Sequence, residues 1–183
     1  MPIPEAIYDA VVCVGPQHRE TALKAIRSLR LFTTARTIYV VTAVEQFAFF
    51  RAAAGRPDAR LIDEDDVLPG LSLQTIGDLL LARIGSAKRA GWYLQQFLKM
   101  GFCAVPGIAP HYLSWDSDTI ALQPLTFFDE SGRVLVNPKT ERYAPYFEWM
   151  RKALGLERQV KFSFISEHLM VKTDWMKELI HAF

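Results

Sequence analysis

Cysteine is nearly absent from this chain. The two present in 183 residues, Cys13 and Cys103, lie in the apolar stretches AVVCVG and MGFCAV. Metal-ligand spacing is missing around both, so they read as buried free thiols rather than a disulfide or a metal site. A charge excess of either sign is missing too. The formal net charge is +1, which gives no global footprint for DNA, RNA or anionic lipid and leaves any anion site to a local arrangement. No apolar run approaches the ~18 residues needed to span a bilayer. The opening MPIPEAIYDA has no basic region followed by an apolar stretch, so no secretory signal is expected. A cytoplasmic protein follows by default, with peripheral membrane attachment left open. Internal repeats, low-complexity tracts and linkers are lacking. So are GxGxxG and GxxxxGK[ST], which removes support for Rossmann dinucleotide binding and P-loop chemistry.

What remains is an ordinary globular mix, 50% hydrophobic and 22% charged, long enough for one domain over residues 1–183 with a sizeable core. YDAVVCVG reads as a buried strand ending in the turn Gly15-Pro16. HRETALKAIRSLRLF carries Ala22, Leu23, Ile26 and Leu29 at helical spacing. RTIYVVTA is a second buried strand, VEQFAFFRAAAG a helix stopped at Gly55, and ARLIDEDDVLPG a third strand running into an acidic loop. This alternation predicts an α/β fold with a mostly parallel central sheet flanked by helices. SLQTIGDLLLARIG and GWYLQQFLKMGFCAV are predicted helices, RVLVNP a strand, and PYFEWMRKALGL a helix opening near Pro145. SFISEHLMVKTDWMKELI is a strand and a helix capped by Thr173 or Asp174. The chain stops inside or at the end of that helix, which fits a natural end and a truncated one equally.

Chemistry concentrates in YLSWDSDTIALQPL, residues 112–125, where Asp116 and Asp118 close an apolar run. In extended chain, residues two apart share a face and lie roughly 6.6 Å apart. Two carboxylates at the mouth of a sheet need compensation, and a divalent cation with hard oxygen ligands supplies it. In open α/β sheets, ligands bind outside the carboxyl ends of the strands. The competing reading is a plain exposed turn.

VCVGPQH, LIDEDDVLP, GWYLQQFLKMGF, YLSWDSDTIALQPLTFFDESG and SFISEHLMV, in this order, make the chain resemble a GT-A-type glycosyltransferase of the nucleotide-diphospho-sugar transferase superfamily. It is similar there to a bacterial group with an Asp-x-Asp motif. The resemblance implies a transfer of sugar from a nucleoside diphosphate donor, UDP favoured, to a hydroxyl acceptor such as a glycan, with no nucleic acid partner. It implies manganese or magnesium, with Asp118 as principal ligand and Asp116 as ribose or outer-sphere metal partner. Val14, Gly15 and Pro16 would line the nucleotide, and Asp65 would reach a ribose or base hydroxyl. Gln95 and Lys99, four apart on one helix face, would meet the diphosphate. Glu167 is the candidate general base, and His168 a second ligand or acceptor contact; regular strand geometry points their side chains to opposite sides. His18 and His111 read as surface residues. Two rivals remain. One is a catalytically incomplete nucleotide-sugar-binding domain of the same fold, the expectation if the chain is cut short of the metal- or diphosphate-binding segment that such enzymes carry near the C-terminus. The other is a haloacid-dehalogenase-type phosphatase, whose D-x-D-x-[T/V] motif meets Ile120 at its fifth position and normally follows the first strand.

Overall fold

Residues 6–53 and 58–182 are described in the computed structural model of the chain. The strands are β1 (Tyr8–Cys13), β2 (Ile38–Thr42), β3 (Arg60–Asp63), β4 (His111–Trp115) and β5 (His168–Lys172). The helices are α1 (Arg19–Phe32), α2 (Phe47–Ala52), α3 (Glu64–Val67), α4 (Leu73–Ile84), α5 (Ala90–Gly101), α6 (Ala144–Leu154) and α7 (Thr173–His181). Among the described residues the sheet has the order β3-β2-β1-β4-β5. β1 runs parallel to both β2 and β4, β2 runs parallel to β3, and β5 closes the β4 edge antiparallel.

Every residue of β1 and β2 is buried. That follows from their near-continuous β-branched runs, which suit strands covered on both faces. One face packs Ala10, Val12, Leu113 and Trp115 against Ala22, Ile26 and Leu29 of α1. The other packs Val11, Cys13, Val41 and Tyr112 under Ile76 of α4 and Leu94 and Leu98 of α5. α4 opens on a reciprocal Ser72–Thr75 capping box and stops at Gly85, whose φ of 71° needs glycine. Both cysteines are buried and free, as expected.

Some expectations need correction. RVLVNP is no strand. It touches the 127–128 segment through one isolated bridge, Phe128 to Val134, and Leu135 and Val136 stay exposed, because an alternating pattern does not supply a partner edge. The acidic run after β3 is a helical turn rather than a loop. Asp63 caps it by accepting the Asp65 N–H at 3.2 Å, and the acids sit at a helix start that favours them. Thr173 is no cap of α7: buried, it turns its hydroxyl inward to donate to Ala109 O at 2.7 Å. His111 is half-buried against the Phe128 ring. The expected stop at Gly55 lies outside the described residues.

Two contacts fix how the layers meet. At the amino end of the sheet Asp9 is fully buried and accepts from Arg36 Nε at 3.0 Å, Arg36 Nη2 at 2.7 Å and the Ala109 N–H at 2.7 Å. At the end of α5, a methyl on Gly101 would stand 2.7 Å from Leu68 Cδ2. Gly101→Ala is therefore expected to lose about 1–3 kcal/mol of stability through overpacking, read as a lower melting temperature. Unchanged melting would show that Leu68 yields freely.

Candidate functional site

The chain steps from β1 to β2 on one side and reaches β4 on the other, so the switch point at which such sheets form a crevice lies between the carboxyl ends of β1 and β4. This is where open α/β sheets hold ligands. Val14 and Gly15 follow β1 there, and Asp116 follows β4. Strand alternation puts Tyr112 and Asp116 on the face covered by α5. The Tyr112 hydroxyl donates to Lys99 O at 2.9 Å and Gln95 Nε2 donates to Cys13 O at 3.5 Å, so α5 lies across both strand ends. The Lys99 ammonium makes an ion pair with Asp116 Oδ1. Gln95, Lys99 and Asp116 are thus brought together, whereas the i, i+4 spacing implied only that the first two share a face.

The strand stops at Trp115. Asp116 O accepts the Thr119 N–H at 3.1 Å and Thr119 O accepts the Trp115 indole N–H at 2.8 Å, which makes 116–119 a turn. The extended geometry expected for Asp116 and Asp118 is corrected accordingly. Asp116 is part-buried beside Lys99, while Asp118 is exposed at the tip of the turn.

The remaining candidates divide. Val14 is buried and its backbone is tied to β2: its N–H donates to Val41 O at 2.9 Å and its carbonyl accepts from Thr42 Oγ1 at 2.7 Å. Gly15 is extended with φ −77°, so no backbone strain requires glycine. The space beside it is held by the Gln17 side chain, whose amide a Cβ there would meet at 3.0 Å. Pro16 starts the short turn leading into α1. Asp65 is exposed. Its neighbour Glu64 is half-buried, so the more enclosed acid of this run is one that the sequence reading passed over. Burial, then Asp65, Asp63 and Glu45, raise the Glu64 carboxyl above its usual range. Its position directly after the last residue of β3 was the available signal. The Cys13 thiol is pushed up to about 12, chiefly by burial, and is unreactive.

Glu167 and His168 sit across from β4. The Glu167 carbonyl accepts the Asp116 N–H at 3.0 Å, and its exposed carboxylate pairs with Lys139 Nζ at 3.3 Å. A backbone hydrogen bond and Lys139 hold that carboxyl below its usual range, which makes it a weak base. His168 turns the other way, stacked on Trp115 at 5.1 Å and against Phe127. Burial holds His168 below the ordinary histidine range, and burial with Lys172 does the same for His111. Both take a proton less readily in the fold than in the unfolded chain. Their contribution is full above the unfolded value of about 6.5 and is lost as pH falls toward their depressed values. Melting temperature is expected to drop from pH 7.5 to pH 5.5, with a shallower drop in His168→Phe. An identical slope in that variant would remove His168 as a source.

Among the described residues no three His, Cys, Asp or Glu side chains gather as a metal site. The donors available at the turn are the hard carboxylates of Asp116 and Asp118. Such a pair fits magnesium or manganese only when water and phosphate oxygens complete the shell, an arrangement these ions accept.

This fold recurs among glycosyltransferases. Apo mouse xyloside xylosyltransferase 1 superposes with a TM-score of 0.53 at 11% identity, over 94% of this chain and 69% of its own. The apo bifunctional glycosyltransferase WbbM does so with a TM-score of 0.50 at 12% identity, over 98% of this chain and 34% of its own. Apo GlyE, a glycosyltransferase of Streptococcus pneumoniae TIGR4, matches at 17% identity over 96% of this chain and 37% of its own, with a TM-score of 0.44 that adds no weight. At these identities the likeness establishes the fold: an α/β domain of glycosyltransferase type, spanning about a third of the length of the larger two proteins. The chain belongs to the family of unknown function DUF6492, which residues 19–181 match. No curated protein matches it. Among the described residues, no helix is long and apolar enough to cross a membrane.

Proposed function

We propose that this chain is a metal-dependent glycosyltransferase moving a sugar from a nucleoside diphosphate, UDP favoured, to a hydroxyl acceptor such as a glycan. The observation that carries the reading is the Lys99–Asp116 pair at the β1/β4 switch point: a cation and a carboxylate, each able to exchange its partner for part of a metal-diphosphate group. Asp118, exposed at the turn tip, is the principal ligand for manganese or magnesium, and Asp116 the outer-sphere or ribose partner. When bound, the metal supplies positive charge for the departing nucleoside diphosphate. Lys99 turns from Asp116 to the diphosphate oxygens, a charge-assisted contact, while Gln95 orients beside it. Gly15 and Pro16 line the nucleotide at the end of β1 beside Val14, and Asp65 or the more enclosed Glu64 meets the ribose or base. Glu167 takes the acceptor proton, and His168 faces the acceptor side.

The test is a thermal-shift panel of UDP, GDP, CDP and their sugars with and without manganese. The expected result is a shift that needs nucleotide and metal together; a shift with neither dependence would end the proposal. A second reading, a nucleotide-sugar-binding domain without turnover, is favoured by Glu167, whose depressed pKa suits a base poorly. Binding without donor hydrolysis or transfer would decide for it. The phosphatase reading has no observation in its favour, and a covalent aspartyl phosphate on Asp116 would be needed to revive it.

A further inference from the structure

Alone among the described helices of eight residues or more, α6 buries none of its residues. Phe147, Met150 and Leu154, at helical spacing, are half-buried and turn inward. Tyr146 and Trp149 stand on the outer flank, Trp149 at 63% exposure, and Tyr143 packs edge-on to Tyr146 at 4.7 Å. The Arg158 guanidinium lies 4.9 Å over the Phe147 ring and donates to Phe162 O, which joins α6 to residues 161–165. There Phe162, Phe164 and Ile165 are exposed as well. Exposed aromatics thus occur both on α6 and in the segment tied to it.

Its charge is lopsided. Residues 139–167 hold Lys139, Arg142, Arg151, Lys152, Arg158 and Lys161 against Glu141, Glu148, Glu157 and Glu167, the last paired with Lys139, whereas the whole chain is only +1. The rest of the molecule therefore carries an acidic excess. Lys152 follows Trp149 by one helical turn, so ring and ammonium share a flank. Exposed aromatics beside bases on an amphipathic helix are the composition of a helix lying in a bilayer interface. Anionic headgroups attract such bases and repel the acidic remainder, which sets the orientation. We infer that α6 and residues 161–165 dock this protein onto an anionic lipid bilayer. Lys139, at the root of this surface, pairs with Glu167, whose carbonyl holds the Asp116 N–H. Docking would therefore bring the carboxyl end of β4 close to the lipid, where a membrane-borne hydroxyl acceptor could be met. Docking itself does not depend on the transferase reading.

The test is co-sedimentation of the full chain with vesicles of phosphatidylcholine alone and of phosphatidylcholine with phosphatidylglycerol. Binding is expected to the mixed vesicles only and to weaken as salt rises. Replacing both bases, Arg151→Gln with Lys152→Gln, should weaken it roughly thirtyfold, and Trp149→Ala about tenfold. Each altered side chain is exposed, so the parent melting temperature should be kept, separating lost docking from unfolding. No binding, equal binding to both vesicles, or full binding by Trp149→Ala would overturn the inference. So would a parent dimer that Trp149→Ala dissolves, which would give the face to a second copy. The nucleotide-dependent thermal shift is read separately and can fail or succeed on its own.

Discussion

Asp118→Ala is expected to abolish the manganese-dependent part of the thermal shift produced by a nucleoside diphosphate. A ligand at 100 times its dissociation constant stabilises the fold by about 2.7 kcal/mol. In a domain of this size each kcal/mol moves the melting temperature by about 2–4 °C, so roughly 5–10 °C is at stake. Asp118 is exposed and has no ion pair among the described residues, so its removal should leave the unliganded protein unchanged. Asp116→Asn should behave differently. It releases Lys99 from its partner and should alter nucleotide binding even without metal. A manganese-dependent shift that survives Asp118→Ala would take that residue out of the metal site and leave the Lys99–Asp116 pair to be explained as structure.

Asp9→Ala should cost about 3 kcal/mol, a fall of roughly 6–12 °C in melting temperature, with no relation to nucleotide. Asp9 is completely buried and its carboxylate serves three donors. Truncation leaves the Ala109 N–H in the interior without its acceptor and leaves Arg36 without its partner. Arg36 also donates to Gly107 O at 2.9 Å, so the same network ties the loop before β2 to the loop before β4. Arg36 is partly exposed, which keeps the expected cost at the lower end for a broken buried pair. Asp9→Asn retains an acceptor and should fall between. A loss under about 1 kcal/mol for Asp9→Ala would show that water satisfies the orphaned groups.

Local pattern made much of this molecule legible. β1 and β2 stand out because four to six consecutive apolar residues are what a doubly covered strand needs, and α1, α4 and α5 because their apolar residues recur every three to four positions. The alternation of the two types points to the parallel sheet. Legibility failed wherever a partner decided the outcome. RVLVNP has a strand pattern but found no edge to pair with. Thr173 has a capping side chain but faces a buried carbonyl instead. The turn at 116–119 separates two aspartates that extended chain would have kept on one face.

The candidate site shows the same division. That Gln95 and Lys99 share a face follows from helix geometry alone, and that Asp116 closes a buried strand follows from hydrophobic pattern alone. Neither says that this face lies over that strand end, because the residues are separated by a loop whose course depends on packing of Leu94, Leu98, Phe102 and Tyr112. Nor does sequence say that Glu64 is the half-buried acid after β3 and Asp65 the exposed one. Sequence by itself determined the elements, their period and the chemistry on offer, since these are properties of neighbouring residues. Only the tertiary structure decided which charges meet, because an ion pair spanning seventeen positions is set by how a helix settles on a sheet.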